Sequence, residues 1–281
     1  MRAMRWTLSV LLLCVFAAMA DDLDAVRRQV ELSMVITGSA DIEEDGSVSA
    51  HRIDNAGRVP ENVKALVAQV APHWKFEPIR VDGKPVKARA DMYLRLIARQ
   101  TGVPDQYRIE IAGATFGKSE PGATVSSARM EPPRYPDTAW RLGATGTVYV
   151  LVMVGRDGRV RDVAAEQVNL RVIAKEDKLE RGRKALADAA MAAARKWTFN
   201  PPTNGSDVDA DHWIVRVPVT FLINGGPARY GRWEDAIPGP RQVPPWADQE
   251  RDAATSADAV ADGGLFQLGQ GFRLLTPLGE S

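Results

Sequence analysis

The stretch Leu186-Ala-Asp-Ala-Ala-Met-Ala-Ala-Ala-Arg-Lys-Trp-Thr-Phe-Asn-Pro201 decides how this chain is read. Ala and Leu are strong helix formers, and Pro201 followed by Pro202 stops a helix from continuing. Leu186, Ala190, Ala193 and Trp197 recur at helical spacing and share one face. The stretch is therefore a helix that runs straight into Trp197-x-Phe199-x-Pro201.

A second copy lies upstream. Trp74-Lys75-Phe76-Glu77-Pro78 repeats the Trp-x-Phe-x-Pro signal, and Val63, Val67, Val70 and Trp74 match the four face positions at the same offset. A turn dipeptide follows each copy, Asp82-Gly83 in one and Asn204-Gly205 in the other. Each helix is preceded by two strand-like runs joined at Asp45-Gly46 or Asp157-Gly158, where Gly accepts the positive φ of a tight hairpin. The pattern predicts an α+β protein of two tandem β-β-α-β modules, each an antiparallel sheet with one helix packed on it. Trp74, Phe76, Trp197 and Phe199 recur at equivalent places and are expected to be structural, packing helix ends onto sheets.

Working outward, strands are expected over 30–42, 48–53 and 90–98, with a helix opened by Pro60, whose missing N–H costs nothing there. Residues 107–116 alternate and extend the first sheet; 117–127 read as a small, polar linker. The second module opens with Pro132-Pro133-Arg134-Tyr135-Pro136, which is held extended. A helical turn follows at 138–142, then strands over 146–154, 160–168 and 212–223. The second module carries an insertion at 169–178, expected as an exposed loop. Beyond 224 the prolines 238, 240, 244 and 245 and a Gly-rich stretch suggest an irregular tail with a late strand at 272–275. The expected division is 1–20 leader, 21–99 first module, 100–130 strand plus linker, 131–224 second module and 225–281 tail.

The length of 281 residues allows two domains, and 45% hydrophobic residues support real cores. Lys+Arg and Asp+Glu both number 36, so no global charge draws the chain to nucleic acid or to an anionic membrane. Arg2 and Arg5 precede an apolar run over 6–18 that ends in Ala18-Met19-Ala20, the pattern of a cleaved signal peptide. The run is shorter than the roughly 20 residues that span a bilayer. Retained instead, it would anchor the chain in the inner membrane, the one membrane contact expected. Cys14, the single cysteine, lies inside it, so the mature chain would have no disulfide and no thiolate.

Tyr135-Pro136, Gly146-Thr147-Val148, Asp157-Gly158, Trp197-x-Phe199-x-Pro201 and the closing strand at 217–221 stand in the order and spacing of a known family. Residues 131–224 resemble the TonB C-terminal domain family of Gram-negative bacteria. Residues 30–99 resemble it more weakly, through Asp45-Gly46 and Trp74-x-Phe76-x-Pro78. The resemblance implies a non-enzymatic periplasmic protein linked to energy-dependent outer-membrane transport. Its partner would be an outer-membrane TonB-dependent transporter or another envelope protein, whose short extended TonB box adds as a strand beside the closing strand. Such addition has a physical basis, because an edge strand leaves N–H and C=O groups for an incoming peptide to satisfy. The partner-binding residues implied here are Tyr135, Pro136, Trp213, Val215, Val217, Thr220 and Phe221. Family transducers carry a long Pro-rich spacer; here residues 100–130 alone join the modules.

Other chemistries lack their patterns. His51, His73 and His212 share no ligand spacing, so no zinc site is expected. Asp41, Glu43, Asp45 and Gly46 resemble the start of a calcium loop, but Arg52 stands where a bidentate Glu is needed. There is no Gly-x-Ser-x-Gly elbow, no Ser-x-x-Lys and no phosphate loop. No catalytic residue, metal or cofactor is expected. Two readings stand: a module that captures a peptide strand, and an adaptor that dimerises through its modules and leaves no edge open.

Overall fold

The structure, a computed structural model, describes residues 25–279 apart from 102, 104–105, 119–120, 206, 224–229, 248–255 and 261–262. The leader expected at 1–20 lies outside the described residues. The first half contains β1 (Glu31–Ile42), β2 (Val48–Ile53), α1 (Glu61–Val70), the short pair β3 (Arg80–Val81) and β4 (Lys84–Pro85), β5 (Ala88–Gln100) and β6 (Tyr107–Lys118). After β7 (Ser126–Arg129) and α2 (Asp137–Leu142) come β8 (Gly146–Gly155), β9 (Val160–Leu170), α3 (Glu176–Ala194), β10 (Thr198–Asn200) and β11 (His212–Phe221). The tail adds β12 (Glu234–Ala236) and β13 (Phe266–Gln267).

The class is α+β, built on antiparallel sheets. One sheet runs β2–β1–β5–β6, with β12 on the N-terminal end of β1; the other runs β9–β8–β11–β13. In both, the first strand is central, its hairpin partner lies on one side, and the strand after the helix lies on the other. Val63, Val67 and Val70 of α1 are buried in one cluster with Ile36, Met92, Leu94 and Leu96. Leu179, Leu186, Ala190 and Ala194 of α3 join Val148, Val150, Val152, Val215 and Val217 in the other. Each fully buried Val or Leu contributes roughly 1.5–3 kcal/mol, so these faces hold the helices to the sheets.

One detail recurs in both halves. The Phe76 N–H donates to Gly46 O at 2.7 Å, and the Phe199 N–H donates to Gly158 O at 2.8 Å. Single bridges Ser47↔Lys75 and Arg159↔Thr198 sit beside these bonds. The Trp-x-Phe segment is thus stitched to the tip of the Asp-Gly hairpin. The tryptophans and phenylalanines at 74, 76, 197 and 199 are all buried, and Phe116 meets both Trp74 and Phe76 edge-on. Gly is required in both turns: φ is +85° at Gly46 and +73° at Gly158, and a Cβ would stand 2.0 Å from Phe76 O or 2.2 Å from Phe199 O.

Three segments depart from expectation, two of them through backbone bonds made by the tail. The insertion at 169–178 is not an exposed loop at its start. Asn169 and Leu170 continue β9 opposite Thr147 and Gly146 and are buried, and Leu170 also exchanges two backbone bonds with Ile237, at 3.0 and 2.7 Å. The end of the linker forms β7, which pairs with β10. The late strand expected at 272–275 is a single bridge, Phe76↔Leu274, flanked by Glu77 N–H to Arg273 O and Leu275 N–H to Lys75 O. The tail strands are β12 and β13 instead.

Gly158→Ala and Gly46→Ala should each lower stability by about 2 kcal/mol or more, as left-handed strain and a backbone clash add together. Gly83→Ala, at φ +77° with open space around it, should cost only about 1 kcal/mol. Urea denaturation midpoints of the three variants check this.

Candidate functional site

The strand closing the second sheet, β11, pairs with β8 without a break from His212↔Gly155 to Phe221↔Gly146. On its other side the tail has arrived. Val215 lies opposite Gln267 and Arg216 opposite Phe266, and the Leu268 N–H donates to Ile214 O at 2.8 Å. In an antiparallel strand one residue's N–H and C=O point the same way, and alternate residues point to opposite sides. The bond to Ile214 O therefore sets the phase. Ile214, Arg216, Pro218 and Thr220 direct their backbones outward. Trp213, Val215, Val217, Val219 and Phe221 direct theirs at β8.

This phase sorts the residues singled out in the sequence. Trp213, Val215, Val217 and Phe221 turn their backbones to β8 and their side chains into the core under α3. The Trp213 Nε1 also donates to Asp207 O at 2.9 Å. Thr220 has the outward phase, and its Oγ1 lies 3.1 Å from Thr147 Oγ1. Tyr135 donates its hydroxyl to Ala144 O at 2.7 Å and meets Phe221 edge-on at 5.6 Å. Burial pushes the Tyr135 hydroxyl pKa up. Pro136 is the N-cap of α2. The Tyr-Pro pair thus fixes the end of β11, and its packing brings Tyr135 edge-on to Trp140, a large side chain left 56% exposed. Trp140 carried no pattern in the sequence that set it apart.

Arg216 and Glu166 also escaped the sequence reading. Both are fully buried, and Arg216 grips Glu166 with two bonds, Nε to Oε2 at 2.5 Å and Nη2 to Oε1 at 2.8 Å. Glu166 is the extra residue of a β-bulge, since Tyr149 faces Gln167 while Val150 faces Ala165. A bulge re-aims a side chain, and here a carboxylate turns toward the arginine two strands away. Arg241 of the tail adds a bond to Glu166 Oε1 at 2.8 Å. A second tail residue, Asp258, is held from both halves: Arg95 of β5 lies 2.8 Å away and Asn169 of β9 donates at 2.8 Å. Beside this junction a cavity of about 230 Å³ opens between β1 and β8, lined by Ser33, Thr37, Tyr149 and Arg171 among others.

The third-strand edge of the first sheet is closed as well, and part of β9 is covered. The outer side of β5 is paired with β6 from Ala90↔Lys118 to Gln100↔Tyr107. The end of β9 is met by Ile237 and by Gln242, whose N–H donates to Glu166 O at 2.7 Å. Among the described residues no group of three His, Cys, Asp or Glu side chains is arranged to hold a metal, and no helix is long and apolar enough to cross a membrane.

The fold and this edge define a class: a small antiparallel sheet with one helix, whose closing strand here carries the short tail strand β13 on its outer side. Over part of its length the chain is similar in sequence to TonB proteins. It is 42% identical over 108 residues to Protein TonB from two strains of Xanthomonas campestris pv. campestris, covering 38% of this chain and 42% of theirs. It is 31% identical over 104 residues to Protein tonB2 of Pseudomonas aeruginosa, covering 37% of this chain and 33% of that one. The chain spans less than half the length of these curated relatives. No family model matches it, and no solved structure matches it significantly.

Arg216→Met should destabilise the protein by about 3–5 kcal/mol, because it leaves Glu166 buried without its main partner. Adding Glu166→Leu should recover much of that loss. Thermal or chemical denaturation of the single and double variants measures the difference.

Proposed function

We propose that the chain is a TonB-like envelope protein that acts by binding, without catalysis, in energy-coupled transport across the outer membrane. The partner is an outer-membrane TonB-dependent transporter, or another envelope protein, that offers a short extended segment to the outer edge of β11. The carrying observation is the 42% identity to Protein TonB over 108 residues; the outward backbone phase of Ile214, Arg216 and Pro218 supports it physically. On this reading Thr220, with Tyr135 and Pro136 behind it, supports the recognition strand, while Trp213, Val215, Val217 and Phe221 shape it from within.

The reading also divides the chain into a leader at 1–20, a first module at 21–99, a strand and linker at 100–130, a TonB-like module at 131–224 and a tail at 225–281. The recurring strand order and the two equivalent Gly–Phe bonds support a duplication. With the leader cleaved, the protein works free in the periplasm; with it retained, it works from the inner membrane.

A second reading has its own support. The edge of β5 is fully closed and that of β11 is closed at 214–216, as an adaptor without a receptive edge requires. Such an adaptor would associate through its modules, as a homodimer. Titration of the mature protein with TonB-box-like peptides, followed by amide NMR, separates the two. Binding should shift the Ile214, Arg216 and Thr220 amides most. No shift there, together with a stable dimer in solution, would sink the first reading in favour of the second.

A further inference from the structure

We infer that the tail segment 264–268 is an exchangeable stand-in for the partner strand, which closes the outer edge of β11 until a peptide of the same chemistry replaces it. The inference rests on the proposed strand-binding function and adds a regulation to it.

Four observations carry it. The segment occupies β11 as an added strand would: it is antiparallel, in register at Val215↔Gln267 and Arg216↔Phe266, with the Leu268 N–H on Ile214 O. It is recognised by side chains as well. Phe266 and Gln267 are buried, and Gln267 Oε1 accepts the Val125 N–H at 2.7 Å. Its pairing is short, and Pro218, next in the outward phase, has no N–H to give a longer partner. Its two ends turn at Gly263, φ +74°, and Gly269, φ +77°, with nothing packed where a side chain would stand. The paired segment therefore lies between two turns made by left-handed glycines, and just beyond the second Gln270 is tied to Asp207.

The contrast with the first sheet supports reversibility. There the equivalent edge is paired from Ala90 to Gln100 by the hairpin strand β6, with no turn of this kind inside it. In the second sheet the tail beyond the segment is tied separately, by Phe272 N–H to Phe116 O at 2.8 Å and by the bonds around Leu274 to the Trp-x-Phe segment of the first half. The segment can leave β11 while its flank stays moored. A tethered strand competes at an effective concentration on the order of millimolar, so it sets a threshold that a partner must exceed. It also specifies the partner: an extended peptide with an apolar residue opposite Arg216 and an amide side chain opposite Val215.

The test uses the full mature chain, native and with Leu268→Pro, which removes the donor to Ile214. The probe is a synthetic peptide of residues 263–270 of this chain. The variant should bind it at least tenfold more tightly than the native chain, with the Arg216 amide regaining its protection from hydrogen exchange. Equal binding by both chains, or none by the variant, overturns the inference. A measurement on the native chain alone guards against misfolding of the variant. The Leu268 and Arg216 amides should exchange at least tenfold faster than those of the β5–β6 pair; exchange as slow as that pair would show a permanent strand and overturn the inference. TonB-box-like peptides form the separate arm. If they bind neither chain while the 263–270 peptide binds the variant, the exchange stands and the transporter reading falls.

Discussion

A β-strand has two edges, and both carry backbone groups that must find partners when water is excluded. An unpaired buried N–H or C=O costs about as much as several good contacts gain. In each half of this protein the central strand satisfies one side of the third strand. The other side is left to the rest of the chain. The first half closes its edge with a long contiguous strand, β6. The second closes its edge with two residues brought from the far end of the tail. That difference separates an edge paired along most of its length from one covered over two residues.

The tail is therefore part of the fold. It pairs with β1, touches β9 at Ile237 and Gln242, closes β11 and ends against the Trp-x-Phe segment of the first half. Charge holds it as well as backbone bonding. Asp258 sits between Arg95 and Asn169, and Arg241 reaches the buried Glu166–Arg216 pair. Buried ion pairs add little net stability but make the wrong arrangement expensive, because a lost partner strands a charge. They place the tail in one position, and the short strand at 266–267 depends on that placement.

Much of the layout could be read from local pattern. The helix faces at 63, 67, 70 and at 186, 190 follow from periodicity. The hairpins follow from Asp-Gly. The alternating run at 107–116 was legible as a strand of the first sheet. What local pattern lacks is phase. The residues Trp213, Val215, Val217 and Phe221 stand out because they are apolar, yet that quality sends them inward; the outward backbone belongs to Ile214, Arg216 and Pro218. The position of Asn169 and Leu170 was equally hidden, since no local pattern relates them to Thr147, Gly146 and Ile237, which pair with them. A buried arginine in an apolar strand gives no sign of a glutamate fifty positions away in a bulge.

The sequence by itself determined the main elements of each half, their order and the repeated Asp-Gly and Trp-x-Phe pairs that the structure locks together. Those depend on spacing, on φ and on residues close enough in the chain to specify each other. Only the tertiary structure decided which edge is closed, by what, and how firmly. Closure depends on backbone groups that every residue carries alike, so composition cannot mark them. It also depends on segments such as 215–216 and 266–267, which come together only once the rest of the fold has placed them side by side.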